Sequence, residues 1–402
     1  MTESDPKRTK PLRLPSATDS SAEALKRRRQ LLEEGSIRTS RLAGEEPDPD
    51  PATLSGRVEG FVGYSRIPVG VFGPLRIRGD HAQGDYVIPI ATSEGALVMS
   101  YQHVANMLQR GDGIRAKCTD CIVWRAPGFV FRTLDGAAAF AESLAGLRPK
   151  LEAVVAEGSR HCRLKNVEPA IFGREVLLRL GFETADAAGQ NMVTNAAQAI
   201  CGVLVESAPA ELVRWQIESN DSGDKKATAM AMQSARGKRA VAEIFLSPKL
   251  CQRYYRATPD AMLRVWHMST HGTAHSGAAG CQGNYANAIA GLFIACGQDV
   301  ACVGEAASGL TTVEITEEGD FYCSVTLPNL IVGTVGGGTS LPTAKECLAM
   351  LDCVGAGRAK AFAEICAAVT LCGELALIGA MAGGSFARAH AEAGERSAKR
   401  PD

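Results

Sequence analysis

The chain has little of what binds polyanions or enters membranes. Its 43 Lys and Arg residues nearly balance 44 Asp and Glu residues, so the formal net charge is only −1. Such a small charge provides no field for attracting nucleic acid or an anionic membrane surface, which favours a small-molecule partner. No uncharged apolar run reaches the roughly 18 residues of a membrane helix, and the polar N-terminus starts no signal segment. We therefore expect a cytoplasmic protein without nucleic-acid or membrane partners.

The cysteines form no metal-binding or disulfide pattern. They number 13, an odd count, and most lie in apolar segments, as is typical of free thiols in a reducing cytosol. Cys118 and Cys121 have the spacing of a redox or zinc motif. Because no second pair with this spacing accompanies them, we interpret them as structural thiols.

The histidines are also few, and three of them recur at a regular interval. His267, His271 and His275 are four residues apart, so a continuous helix would place them on one face as zinc ligands. Gly272 and the threonines beside it argue against an unbroken helix, and no neighbouring glutamate completes a metalloprotease pattern. We therefore expect no metal.

The remaining composition indicates a folded chain of more than one lobe. With 402 residues, 46% of them hydrophobic, the chain exceeds one ordinary core. We predict an α+β fold in which a large, helix-rich substrate-binding domain, built around a buried central helix at 288–299, is interrupted by a ferredoxin-like α/β cofactor-binding domain. The predicted divisions are an N-terminal arm with a short helix (1–50), the large domain (51–126 and 216–390), the inserted domain (127–215) and a flexible tail (391–402).

Local patterns predict the individual elements. Within the inserted domain, apolar strands alternate with segments of helical periodicity. Elsewhere we predict a strand at 86–90, a helix that begins at Thr92 or Ser93, a helix at 227–234, a strand at 239–245 and a helix from 248 to about 270. The predicted elements of the inserted domain are strands at 128–131, 176–182 and 212–217 and helices at 134–155 and 191–205.

The polar run Asp224-Lys225-Lys226 interrupts these elements between a strand and an alanine-rich stretch. Two lysines beside an aspartate could hold a cation against a substrate oxygen, because the aspartate keeps an ammonium group charged and positioned. The alternative is a solvated charged turn, since charged residues are mostly exposed. The run alone does not decide between these interpretations.

Three further titratable residues are candidates for proton chemistry. Glu94 stands at a predicted helix start, where the helix dipole alone explains an acid, whereas a catalytic acid would need burial. Asp299 follows an apolar helix and is interpreted either as a buried paired or catalytic group or as a cap for the next turn. His390 is either a mobile proton donor or a helix-terminal charge.

A glycine-rich loop, Gly333 to Thr339, follows an apolar strand. Its three consecutive glycines, Gly336, Gly337 and Gly338, could let backbone N–H groups face a phosphate or ribose. A glycine loop alone is more often a turn than a nucleotide site.

Taken together, these segments resemble the 3-hydroxy-3-methylglutaryl-coenzyme A (HMG-CoA) reductase family over Glu59 to His390. The likeness is to the catalytic portion of the class shared by eukaryotes and archaea. Five motifs occur in the family's order. They are Ile67–Val71 with Gly73-Pro74, Ala91–Gly95, Asp224–Lys226, Ile294–Asp299 and Gly333–Thr339.

The resemblance implies an oxidoreductase that uses NADPH twice to reduce HMG-CoA, through a hemithioacetal and an aldehyde, to mevalonate for isoprenoid synthesis. It implies that Lys225 stabilises the oxyanion and that Glu94 supplies a proton. It further implies that Asp299 tunes both groups and that His390 protonates the leaving CoA thiolate. Arg125 and Lys226 would bind the terminal carboxylate of the acyl group, beside Asp224.

The resemblance also implies a cofactor site and an oligomer. Arg160 matches the arginine that selects the 2′-phosphate of NADPH, and Asn287 matches a residue that assists the lysine and the nicotinamide. The other implied cofactor residues are Asp186, Ala188, Gly189, Gln190, Asn191, Met192, Gly336, Gly337 and Gly338. The segment Glu59–Gly63 resembles a dimerisation segment, so we expect a homodimer or a dimer of dimers with active sites at the subunit interface.

Two departures from the family pattern affect the acyl specificity. Glu218 stands where the family usually has a serine, six residues before Asp224, and His271 stands where a substrate-binding lysine is expected. An added anion facing a substrate carboxylate lowers affinity unless it is paired or turned away. The alternatives to HMG-CoA reduction are therefore a related enzyme that reduces another acyl thioester and a non-catalytic paralogue that binds CoA or nucleotide.

Overall fold

The computed structural model describes residues 13–55, 57–109, 111–208, 211–387 and 391 of the chain. Within these residues helices and strands are interspersed throughout. The α-helices are α1 (Ala22–Glu34), α2 (Leu97–Leu108), α3 (Leu134–Gly158), α4 (Gln190–Ser207), α5 (Met230–Gln233), α6 (Pro248–Tyr255), α7 (Pro259–Ser276), α8 (Tyr285–Ala295), α9 (Val303–Ala306), α10 (Pro342–Met350) and α11 (Ala359–Ala382). The strands are β1 (Val69–Gly79), β2 (Gln83–Ala91), β3 (Ile114–Arg125), β4 (Gly128–Phe131), β5 (Arg163–Phe172), β6 (Glu175–Glu183), β7 (Leu212–Gln216), β8 (Gly237–Leu246), β9 (Leu310–Ile315) and β10 (Phe321–Leu330).

One half of the β-sheet lies in the predicted large domain. β1 and β2 form an antiparallel hairpin, and the end of β1 runs parallel to β3. From β3 the sheet continues through antiparallel β8, β10 and β9. Buried and more exposed residues alternate along β8 and β9, so one face of these strands covers the core.

The other half of the sheet is a βαββαβ unit. β4, α3, β5, β6, α4 and β7 follow one another along the chain, and their strands lie in the order β7-β4-β6-β5, all antiparallel. This is the ferredoxin-like arrangement. Val123 to Arg125, at the end of β3, pair with β6 and join the two halves into one ten-stranded sheet. The predicted α+β class is confirmed.

Two buried helices form the core of the large half. α8 is buried along most of its length, as predicted, but it ends at Ala295 rather than at Asp299. The longer α11 is more central, because it packs against β3, β8, β10, α2, α7 and α8. By length and composition it is the one helix among the described residues that could cross a membrane, and 72% of its most apolar stretch is buried inside the protein. Its apolar side chains therefore pack in the protein core.

Two buried carboxylates of α11 bind neighbouring loops and strands. Glu364 of α11 accepts hydrogen bonds from the backbone N–H groups of His81, Ala82 and Cys118 at 2.7–3.2 Å. Glu374, nearer the C-terminal end of α11, accepts hydrogen bonds from the Gly283 N–H at 2.9 Å and from the Thr311 hydroxyl at 2.8 Å. Burial raises the pKa of Glu374, and these hydrogen bonds oppose the rise. Each acid supplies acceptors to polar groups of the neighbouring loops and strands.

Several local predictions were wrong at their boundaries. The helix after β2 begins at Leu97, because residues 92–96 form a turn in which the Thr92 hydroxyl accepts from the Glu94 N–H and Ala96 is left-handed. The helix expected at 227–234 is only α5. The helix expected at 248–270 is two helices, because Arg256 adopts a left-handed conformation and Thr258 caps a new start at Pro259.

The histidine segment also differs from its prediction. α7 runs unbroken to Ser276, so its threonines and glycine do not interrupt it. The hydroxyls of Ser269, Thr270 and Thr273 are compatible with a helix here, because each donates a hydrogen bond to a backbone carbonyl one turn earlier. His267, His271 and His275 are exposed along this helix. Among the residues with described placement, no cluster of three or more His, Cys, Asp or Glu residues could hold a metal ion.

Candidate active site

The Asp224-Lys225-Lys226 run forms a constrained turn rather than a freely solvated one. Lys225 has a φ of 58°, a left-handed conformation that non-glycine residues seldom adopt. Its backbone N–H donates to Glu305 Oε1 at 3.2 Å, and its ammonium Nζ lies 3.0 Å from Asp299 Oδ2. The hydrogen bond that Lys225 donates to Asp299 raises the pKa of Lys225, so the lysine remains a fixed cation.

A buried arginine, Arg236, links Asp224 of this turn to Glu305. Arg236, whose side chain is 4% exposed, donates to Asp224 Oδ1 at 2.8 Å and to Glu305 Oε2 at 2.6 Å. Burial raises the pKa of Glu305, and the Arg236 charge opposes that rise. Neither Arg236 nor Glu305 was predicted from the sequence. A charged residue in apolar surroundings (Ala235-Arg236-Gly237, Gly304-Glu305-Ala306) is the only signal, and it does not identify the partner.

The predicted substrate-side cations lie at the other edge of the same cluster. Arg125 is buried, and its Nη1 lies 3.2 Å from Asp224 Oδ2 and 3.4 Å from Glu218 Oε2. Lys226 is exposed and donates to the Asp224 carbonyl at 2.9 Å. Glu218 also accepts from the N–H groups of Asn220 and Ala126. Glu218 is therefore a paired anion that shares Arg125 with Asp224.

Asp299 is both a paired carboxylate and a cap for the next turn, but it is not buried. Its Oδ1 accepts from the Ala301 N–H at 3.1 Å and so caps the short helical turn at 300–302. Its Oδ2 faces Lys225 Nζ. The side chain is 40% exposed, which corrects the predicted burial. The chain leaves α8 through Gly297, and this exit brings the carboxylate to the surface beside the lysine turn.

Glu94 forms a second, separate pair. The Asn287 side-chain amide donates to Glu94 Oε2 at 2.6 Å. Both residues line a cavity of about 350 Å³, together with Arg66, Ile67 and the apolar face of α8. Among the residues that the structure describes, no hydrogen bond joins Glu94 to Lys225 or Asp299.

The length of α8 explains this separation. Asn287 lies in the first turn of α8, whereas Asp299 lies four residues beyond its last residue. At 1.5 Å per residue, the helix between residues 287 and 295 alone spans about 12 Å. The two pairs therefore belong to opposite ends of one buried helix. His390, the fourth predicted catalytic residue, lies outside the described residues.

The two predicted cofactor loops are neighbours. Ala187 and Val335 form an isolated β-bridge, so the turn before α4 lies against the glycine-rich loop. α4 starts at Gln190 without a side-chain cap, which leaves backbone N–H groups free at its N-terminus. Gly336 and Gly337 have positive φ, and no atom lies within 4 Å of where their Cβ atoms would be. These features fit a phosphate-bearing cofactor, because amides and open backbone face the same region.

Other predicted cofactor residues have structural contacts. The Asp186 carboxylate accepts from the N–H groups of Gly357 and Ala359, and so caps the start of α11. Gly189 and Gly338 allow close approaches to Thr184 and Gly297 that a Cβ would prevent. The remaining residues are distributed around the loops. Ala188 and Met192 pack on the core, Asn191 is exposed in the first turn of α4, and Arg160 is exposed between α3 and β5.

Comparisons with known proteins agree on one family. The family model for hydroxymethylglutaryl-coenzyme A reductase matches residues 24–395. A 3-hydroxy-3-methylglutaryl-coenzyme A reductase of Pyrococcus abyssi is 39% identical over 350 residues, 85% of each chain. The enzyme of Aeropyrum pernix is 41% identical over 344 residues, 84% of this chain and 82% of that protein.

A solved structure shows the same fold. The class II 3-hydroxy-3-methylglutaryl-CoA reductase of Streptococcus pneumoniae, bound to NADPH, superposes with a TM-score of 0.70 at 17% identity, covering 89% of this chain and 86% of that one. Together with the lysine–aspartate pair and the amide-lined loops, these matches define a cofactor-dependent reductase fold. The chain belongs to the hydroxymethylglutaryl-coenzyme A reductase family.

The buried ion pair generates a stability prediction. Arg236→Met should lower the free energy of unfolding by about 3–5 kcal/mol, because it leaves the Glu305 carboxylate buried without its partner. The matched surface change Arg148→Met removes the exposed pair with Glu152 and should cost at most about 1 kcal/mol. Urea unfolding followed by circular dichroism measures both. Equal losses would contradict the supporting role of Arg236.

Proposed function

We propose that this protein reduces HMG-CoA to mevalonate and free CoA by two successive hydride transfers from NADPH. The observation that carries the proposal is the Lys225–Asp299 pair at 3.0 Å, held on the Arg236–Glu305 support. A cation that is already in place needs little reorganisation when negative charge develops on a carbonyl oxygen. When bound, NADPH supplies the hydride, and the chain's own residues provide the charge and the protons.

Lys225 stabilises the oxygen of the thioester carbonyl and then that of the aldehyde. Asp299 keeps the ammonium protonated and aimed, and its own carboxylate stays hydrogen-bonded to the turn at 300–302. Glu94 donates a proton to the reduced oxygen, with its orientation set by Asn287. We further propose, from the family resemblance, that His390 protonates the departing thiolate.

The cofactor occupies the junction of the two loops in this proposal. Free N–H groups at the start of α4 and the open backbone of Gly336 and Gly337 receive its phosphates. Arg160 selects the 2′-phosphate, as its side chain is exposed and forms no salt bridge with another described residue. All thirteen cysteines are free thiols, which supports a reducing, cytoplasmic setting.

The oligomer forms part of the proposal. Glu94 and Lys225 lie at opposite ends of α8, so one chain by itself presents two incomplete halves. A homodimer that brings the Glu94 half of one chain to the Lys225 half of another completes the site. The segment 59–63 is suited to such a contact, since Val62 is 99% exposed. A dimer of dimers is compatible with the same contact.

A second candidate function is the reduction of a different acyl thioester. The observation that favours it is Glu218, which shares Arg125 with Asp224. An arginine already matched by two carboxylates has less charge available for a substrate carboxylate. A substrate without a terminal carboxylate would meet no such competition.

The oxyanion role of Lys225 is tested by Lys225→Met. With HMG-CoA as substrate, kcat should fall about a hundredfold to a thousandfold, because the charge facing the oxyanion is lost. NADPH binding, measured by fluorescence, should change little. Lys249→Met, at an exposed position of α6, is the matched control and should retain full activity. Near-normal turnover in Lys225→Met would remove Lys225 from the mechanism, and a wild-type protein that oxidises no NADPH with HMG-CoA would refute the proposed function.

The two candidate substrates are separated by a panel of acyl-CoAs and by Glu218→Gln. This change removes the charge beside Arg125; its single amide oxygen can still accept from the Ala126 N–H, whereas the exposed Asn220 N–H, which bonds to the other oxygen of Glu218, is left to solvent. For HMG-CoA we expect KM to fall about tenfold, roughly the effect of one added charge-assisted contact. KM for acyl-CoAs without a terminal carboxylate should not change. An unchanged KM for HMG-CoA would show that Arg125 does not bind its carboxylate.

Mixing two inactive variants tests the shared site. Lys225→Met and Glu94→Gln should each be inactive alone, whereas subunits exchanged between them should recover about one quarter of wild-type activity, because half of the dimers then hold one intact site. Size-exclusion chromatography with light scattering confirms that exchange leaves the oligomer intact. No recovery after proven exchange would place Glu94 and Lys225 in the same chain's site or in no common site.

A further inference from the structure

Gln190 connects groups that the reaction uses separately. Its side-chain Nε2 donates to Asp299 Oδ2 at 3.0 Å, and its Oε1 accepts from Arg236 Nη2 at 3.3 Å. Its carbonyl accepts from Arg125 Nη2 at 3.4 Å. The same residue is the first of α4, beside the proposed cofactor loops. One uncharged side chain therefore reaches both the catalytic pair and its buried support.

The orientation of the Gln190 amide is imposed by its neighbours. A guanidinium has only donors, so Arg236 must face the amide oxygen. Arg236 itself is held by Asp224 and Glu305, two carboxylates that leave it little freedom. The amide NH₂ consequently points the other way, toward Asp299 and the nearby Cys302 sulfur, which lies 3.0 Å from Nε2. The donor toward Asp299 is fixed without help from solvent.

The Asp299 oxygen that receives this amide is the one that pairs with Lys225. Oδ2 lies 3.0 Å from both Lys225 Nζ and Gln190 Nε2. Oδ1 is occupied by the Ala301 N–H. With both oxygens engaged, rotation of the carboxylate would break at least two hydrogen bonds, although the group is partly exposed to water.

We propose that Gln190 is a positioning residue that holds the Asp299 carboxylate, and through it the Lys225 ammonium, in the orientation that stabilises the oxyanion. The proposal rests on the proposed function and deepens it. Gln190 touches no reacting atom in this role, so it acts on kcat more than on substrate binding. Because Gln190 is also the first residue of α4, it fixes the position of the start of α4 relative to the Lys225–Asp299 pair.

Two substitutions separate positioning from simple packing. Gln190→Met preserves length and removes both polar contacts. Gln190→Glu preserves length and the acceptor for Arg236, but it replaces the donor toward Asp299 with a like charge. Positioning predicts that kcat falls about tenfold in Gln190→Met and further in Gln190→Glu, while KM for HMG-CoA and the Kd for NADPH change less than about threefold. Packing alone predicts the opposite order, because the glutamate variant retains the Arg236 contact.

Gln252→Met, a matched change on the exposed face of α6, serves as the control and should leave kcat unchanged. Urea unfolding of each variant shows whether the fold persists. Equal kcat for wild type and Gln190→Glu, or a higher kcat for Gln190→Glu than for Gln190→Met, would overturn the proposal.

A second measurement does not depend on turnover. Amine labelling of the cofactor-free protein, quantified by mass spectrometry, compares Lys225 with its neighbour Lys226 as an internal reference. A loosened Asp299 holds the Lys225 ammonium less firmly, so labelling of Lys225 relative to Lys226 should rise several-fold in Gln190→Met and stay unchanged in Gln252→Met. An unchanged ratio in Gln190→Met would refute the positioning role. If wild type reduces no acyl-CoA, the proposed function fails, and this ratio still decides whether Gln190 holds the pair.

Discussion

The salt bridge between Arg236 and Glu305 is the interaction on which the candidate site depends. Both side chains are almost fully buried, at 4% and 0% exposure, so their pairing offsets the cost of removing two charges from water. The pair is extended by Asp224, which accepts from Arg236, and by the Lys225 N–H, which donates to Glu305. These contacts keep Lys225 in a left-handed conformation that its side chain would not otherwise favour. A buried charge pair thus sets the direction of a surface cation.

A helix sets the second constraint. α8 is buried and apolar, and it carries Asn287 near its start and leads to Asp299 beyond its end. Because a helix has a fixed rise per residue, the Glu94–Asn287 pair and the Lys225–Asp299 pair are held at opposite ends of α8. In the proposed function, a homodimer brings the acid of one chain to the lysine of the other.

The ferredoxin-like unit is attached to this arrangement by backbone pairing. β3 belongs to both halves of the sheet, and the Ala187–Val335 bridge joins the turn before α4 to the glycine loop of the large half. Asp186 caps the start of α11 across the same junction. The proposed cofactor surface therefore lies where two halves of one sheet meet, and Gln190 extends that surface to the catalytic pair.

Much of this protein follows from its sequence alone. Strand and helix periodicities placed β2, β4, β6, β7, β8, α3 and α4 within a few residues, because alternating and 3.6-residue patterns reflect burial on one face. The five motifs in the family's order predicted the family, which the family model confirms. The helix boundaries near residues 92, 256 and 270 were predicted wrongly. They depend on left-handed residues and on hydroxyl-to-carbonyl hydrogen bonds, and only tertiary packing offsets the conformational cost of these features.

Only the tertiary structure decided which polar and charged side chains are partners. Arg236 and Glu305 lie 69 residues apart, Glu94 and Asn287 lie 193 apart, and no local pattern relates the members of either pair. Asp299 was expected to be buried because its helix is apolar, but the chain turns out of the core at Gly297 first. Sequence patterns report the environment of a residue along its own element, whereas the orientation of the Asp224-Lys225-Lys226 turn depends on side chains brought from four other segments of the fold.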